Sequence, residues 1–141
     1  MEIIINYWAL LGVSVLSFII GAVWYTPLMF GNIWMKIMGG RDKYTKEEME
    51  KLQKEMTKFY FLQLLLTFIT MFVLYMNVIW QAKDAGMYLA FFMWLGYVMP
   101  TQVAGVIWGN TEKKYWCKQI SIMLGCQLVI MLLAGYIFSN L

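Results

Sequence analysis

Positions 3–35, 59–82, 85–111 and 119–141 hold no Asp, Glu, Lys or Arg, and polar residues cluster between these runs. A helix needs about 20 apolar residues to cross about 30 Å of hydrocarbon. Each run meets that length, so the pattern predicts four membrane-spanning helices, near 3–25, 59–80, 85–108 and 119–140. The expected fold is therefore all-α, a four-transmembrane-helix bundle forming a single integral-membrane domain over 1–141. Pro27 lacks an N–H and restricts Thr26 before it, which ends the first helix and leaves a short interfacial segment. Residues 36–58 form a polar loop. Within it, Gly39-Gly40 and Arg41-Asp42-Lys43-Tyr44 read as a break and turn. Thr45-Lys-Glu-Glu48 matches a capping box. Met49, Leu52, Met56 and Phe59 then share one face of an amphipathic extension that runs into the second span.

Within the spans, polar and small positions fall in stripes. Gln63, Thr67, Thr70 and Asn77 approximate one face of the second span, which must meet protein or water and not lipid. Ser14, Ser17 and Gly21 make a small-residue face on the first, Gly105 and Gly109 on the third, and Ser121 and Gly125 on the fourth. Such faces let helix backbones approach closely in lipid, so the chain is expected to form a homo-oligomer within the lipid bilayer.

Composition agrees with that class. The chain is 62% hydrophobic and 13% charged, against about 25% charged in soluble domains. Its net charge of +3 is modest and no nucleic-acid partner is expected. Ten of the eleven basic residues lie in the connections after the first and third spans, and the remaining one is Lys83. The positive-inside rule makes those two connections cytoplasmic and both termini extracytoplasmic, in the cell membrane. Glu2 stands where a cleaved signal would carry basic residues, which argues against one.

Two clusters stand out from ordinary membrane helix. The first is Trp24, Tyr25, Thr26, Pro27 and Phe30; the second is Trp94, Tyr97, Pro100, Thr101 and Gln102. If the first and third spans are neighbours, these residues line a cavity opening to the cytoplasm, with hydroxyl and amide groups inside aromatic walls. A lipid or small hydrophobic ligand would suit it. The competing reading makes the tryptophans interfacial anchors and the prolines internally bonded kinks.

These clusters resemble a family of small prokaryotic integral-membrane proteins catalogued as domain of unknown function 1761. The resemblance rests on Gly21, Trp24, Tyr25, Thr26, Pro27, Phe30, Gly31, Trp34 and Met35. It continues with Trp94, Leu95, Gly96, Tyr97, Pro100 and Thr101. It implies four transmembrane helices and supplies no activity.

The chain contains no histidine, and no span contains a carboxylate. No phosphate-binding loop or nucleophile elbow is present. No catalytic residue, metal site or cofactor is therefore expected. Cys117 and Cys126 are about 13 Å apart along one helix and too far to bridge. The leading expectation is a non-enzymatic, oligomeric structural or accessory membrane component. The alternatives are a transporter or channel subunit with its pathway between protomers, or a lipid-binding protein.

Overall fold

The computed structural model describes residues 4–38 and 45–141; the turn expected at 39–44 lies outside them. All regular structure among the described residues is helical, and four helices are long and apolar enough to cross a membrane.

The first, α1 (Tyr7–Trp24), begins where the Asn6 side chain accepts from the Ala9 N–H at 3.0 Å. Asn6 also donates its own N–H to the Tyr75 hydroxyl at 2.9 Å, tying the helix start to the second long helix. Leu10, Val13, Ser14 and Ser17 form the buried stripe of α1. The Ser14 hydroxyl donates back to the Leu10 carbonyl, while Ser17 meets the Met71 sulfur at 3.8 Å. Beyond Trp24 the chain folds back on itself ahead of the short helix α2 (Gly31–Ile37).

Thr45 caps α3 (Lys46–Gln81), and the capping box is complete: each partner's backbone N–H meets the other's side chain at 3.3 Å. At about 1.5 Å per residue this 36-residue helix is about 54 Å long. Its two halves differ sharply. Residues 45–63 are all exposed, whereas Met71, Leu74, Tyr75 and Val78 lie in the core.

After a turn closed by Ala85 N–H to the Ala82 carbonyl come α4 (Gly86–Met93) and α5 (Met99–Ile107). They form one helix, Gly86–Ile107, interrupted by a π-turn at Trp94–Val98. The expected straight span therefore carries a bulge. Pro100 explains it: the ring lacks an N–H and would press on the carbonyl one turn back, so the helix widens ahead of it. Met99 N–H reaches the Trp94 carbonyl instead.

A 3₁₀ turn (Lys113–Tyr115) then leads into α6 (Trp116–Ser139). In this connection Lys114 and Glu112 form a 3.2 Å ion pair, and the hydrogen bond that Lys114 donates to the Glu112 carboxylate raises the Lys114 pKa.

The helix α6 is the hub of the molecule, packing on α1, on α3 and along the α4–α5 helix. Its Cys126, Ile130, Met131, Ala134 and Phe138 supply much of the core, and Phe138 meets the Tyr75 ring edge-on at 5.1 Å. Closest approach occurs at Gly86 and Gly135. A methyl on Gly135 would lie 2.5 Å from the Gly86 carbonyl oxygen, so no side chain fits between the two backbones.

Candidate functional site

The elbow after α1 is built around Gly31. Phe30 N–H returns to the Trp24 carbonyl at 3.1 Å, and Gly31 N–H to the Thr26 carbonyl at 2.8 Å. A Cβ on Gly31 would run into the Thr26 carbonyl carbon and the Tyr25 and Thr26 oxygens. Only glycine permits this closure. The Thr26 hydroxyl donates to the Val23 carbonyl at 2.7 Å, occupying the last turn of α1, and Pro27 projects outward. The elbow holds its rings together: Trp24 and Phe30 lie 5.0 Å apart, Tyr25 and Trp34 4.9 Å apart edge-to-face.

Trp24 faces α6. Its indole N–H donates to the Ile122 carbonyl at 3.0 Å. The ring passes over Gly125, where an added Cβ would stand 3.2 Å from Trp24 Cζ2. From the other side Trp94 donates its indole N–H to the Leu124 carbonyl at 3.2 Å. The two clusters thus converge on carbonyls two residues apart on one helix. Each such carbonyl has a second lone pair left by its own helical bond. Hydrogen bonds of this kind between helices in lipid contribute about 0.6–2 kcal/mol each.

This geometry corrects the expected cavity. The helix α1 and the α4–α5 helix make no extended contact, because α6 lies between them. Running in the same direction through the bundle does not make helices neighbours. The small residues of α6 admit a bulky ring from one side and a glycine backbone from the other. Trp24, Phe30 and Trp94 are therefore packing groups about α6 and not facing walls.

The hydrogen-bonding members scatter accordingly. Tyr97 is 75% exposed on the outer face of the bundle. Pro100 and Thr101 are exposed beside it, and the Thr101 hydroxyl donates to the Tyr97 carbonyl at 2.6 Å. Gln102 turns inward instead, and its Oε1 is buried without a partner, as is Oε1 of Gln119.

The small-residue faces also divide. Ser14 and Ser17 are buried, and a Cβ added at Gly21 would stand 4.0 Å from Ile130 Cδ1. Gly105 faces open space, and Gly109 folds onto its own helix, its Cβ position 2.8 Å from the Gly105 oxygen. Gly109 ends a helix and does not pack one. Ser121 is exposed on a shallow groove of about 320 Å³, shared with Phe30, Ile33, Cys117, Lys118 and Ile122. Cys117 is exposed, Cys126 is buried, and both are free. Among the described residues no group of three His, Cys, Asp or Glu gathers to hold a metal.

The Gly86–Gly135 approach and the Asn6–Tyr75 bond had no advance signal beyond residue type. Gly86 begins a helix, where glycine reads as part of a turn, and Gly135 is one small residue among many in α6.

No curated protein and no solved structure matches the chain. One family model does, over residues 8–139, taking in both tryptophan clusters and the helix they clamp. The chain belongs to the family described as Protein of unknown function (DUF1761).

Proposed function

We infer that the chain is a multi-pass protein of the cell membrane that acts by assembly, as an oligomeric structural or accessory component, and catalyses no reaction itself. One observation carries this reading. The indole N–H groups of Trp24 and Trp94 both donate to α6 carbonyls, so the tryptophans of the two clusters brace the bundle. Groups left unspent, Tyr97 foremost, face outward from the bundle. Four long helices, each with a charge-free apolar stretch, support the membrane location, and the basic segments between those stretches support termini on the outer side. Two differently tagged copies expressed in one cell should co-purify in mild detergent. Recovery of each tag alone, at native expression, would remove the assembly reading.

The groove between Phe30 and Ser121 favours one further role, a seat for an anionic lipid. Its walls are apolar, and Lys118 stands at its edge. Native mass spectrometry should then show retained lipid that Lys118→Glu releases. Equal retention in both proteins would exclude this seat.

A further inference from the structure

The exposed side of α3 carries a regular seam that the single chain leaves uncovered. One row comprises Leu52, Phe59, Leu66, Val73 and Trp80, every seventh residue. Their exposures run from 40% at Leu52 to 61% at Trp80. Between them, again seven apart, stand Met49, Met56, Gln63, Thr70 and Asn77. Alternating steps of three and four residues over this length are the a/d pattern of a left-handed coiled coil. The seam lies roughly 120° around the helix from Met71, Tyr75 and Val78, and the buried Leu74 stands at its edge, so a partner can cover it with the core contacts in place.

Gln63, Thr70 and Asn77 indicate what covers it. All three sit on the apolar half of α3, where lipid offers no hydrogen bonds. In the single chain they reach only their own helix. Gln63 Nε2 meets Thr67 Oγ1 at a long 3.4 Å, the Thr70 hydroxyl returns to the Leu66 carbonyl, and Asn77 Nδ2 returns to the Val73 carbonyl while its Oδ1 accepts from Gln81 at 3.1 Å. The donors and acceptors that these bonds leave over favour a partner with polar groups at the same three depths. A second copy does so by symmetry, since two copies inserted the same way align α3 in parallel. Each amide carries both donor and acceptor and can pair with its twin.

Beyond the apolar half, the flanking positions agree. Glu55 of one copy comes opposite Tyr60 of the other, an acceptor facing a hydroxyl donor. Lys51, Lys54 and Lys58 fall on the outer side, away from the seam. The segment 45–63 makes no burial of its own, and a single helix of that length is marginal in water.

We propose that α3 pairs in parallel with α3 of a second copy along this seam, with Gln63, Thr70 and Asn77 setting the register. This rests on the assembly reading and names its interface. The test is a cysteine scan in native membranes on the full chain carrying Cys117→Ser, with buried Cys126 retained, using a short bis-maleimide cross-linker. Leu52→Cys, Phe59→Cys and Leu66→Cys should give covalent dimers at about tenfold the yield of Lys54→Cys and Phe61→Cys, which lie off the seam. Equal yields on and off the seam would overturn the proposal, and so would cross-links to a different protein. Dimers from Tyr97→Cys or Gly105→Cys with none from the seam would keep the assembly reading and overturn this interface. No dimer at any position would overturn both.

Discussion

Trp24 and Trp94 each combine a large ring with one N–H donor, and the bundle uses both parts. The rings fill space beside Gly125 and Phe91 while the donors find carbonyls on α6. Phenylalanine separates the two contributions. Trp24→Phe or Trp94→Phe should lower stability in detergent by about 1–2 kcal/mol, whereas Trp24→Ala should cost about 3–5 kcal/mol. Unfolding midpoints of the purified variants measure the difference, and a neutral Trp24→Phe would mean that the donor contributes nothing. Glycine gives a second contrast. Gly31→Ala should destabilise by about 1–3 kcal/mol or more, because the new Cβ meets backbone that cannot step aside. Gly105→Ala, into open space, should stay within about 0.5 kcal/mol in the unassembled chain. Both glycines belong to motifs evident in the sequence, yet only one is sterically obligatory. Spacing tells which face a small residue lies on; it does not tell what stands opposite. That is why Ser14, Ser17 and Gly21 meet neighbours while Gly105 does not.

At the scale of elements, the helices themselves were legible. Charge-free runs marked the four long helices, Pro27 marked the elbow, and Thr45 to Glu48 marked the start of α3. The π-turn was not, because a proline in an apolar helix can kink, end or bulge it. Which of these occurs depends on the helix packed behind, here α6. The cap of α3 offers a local test. Thr45→Ala removes a side-chain acceptor worth about 0.5–2 kcal/mol. Since 45–63 bury nothing in the single chain, the loss should appear as faster amide exchange in the first turns of α3, with the unfolding midpoint of the unassembled bundle unchanged. A drop in that midpoint would show that this half of α3 supports the core, or the assembly, more strongly than its exposure implies.

Across the whole molecule, the arrangement of helices was the least legible feature. Charge and length specify how many long helices there are, but not which stand side by side. That choice was made by complementary bulk: Trp24 against Gly125, Gly86 against Gly135, Tyr75 against Phe138. The candidate cavity failed at this scale, because α6 occupies the place it needed. The proposed topology has a reporter already in the chain. Cys117 is exposed in the basic connection before α6, and Asn140 is exposed at the opposite end of that helix. An impermeant maleimide should leave Cys117 unlabelled in intact cells and label it after permeabilisation, while Asn140→Cys labels in both. The reverse order would invert the topology.

Assembly is the claim on which the rest of the account depends, and the mass of the particle tests it most directly. Extracted with its own lipids into polymer nanodiscs, without detergent exchange, the protein should give a mass of two or more whole copies of the 16.6 kDa chain. A single 16.6 kDa chain under those conditions would contradict the account.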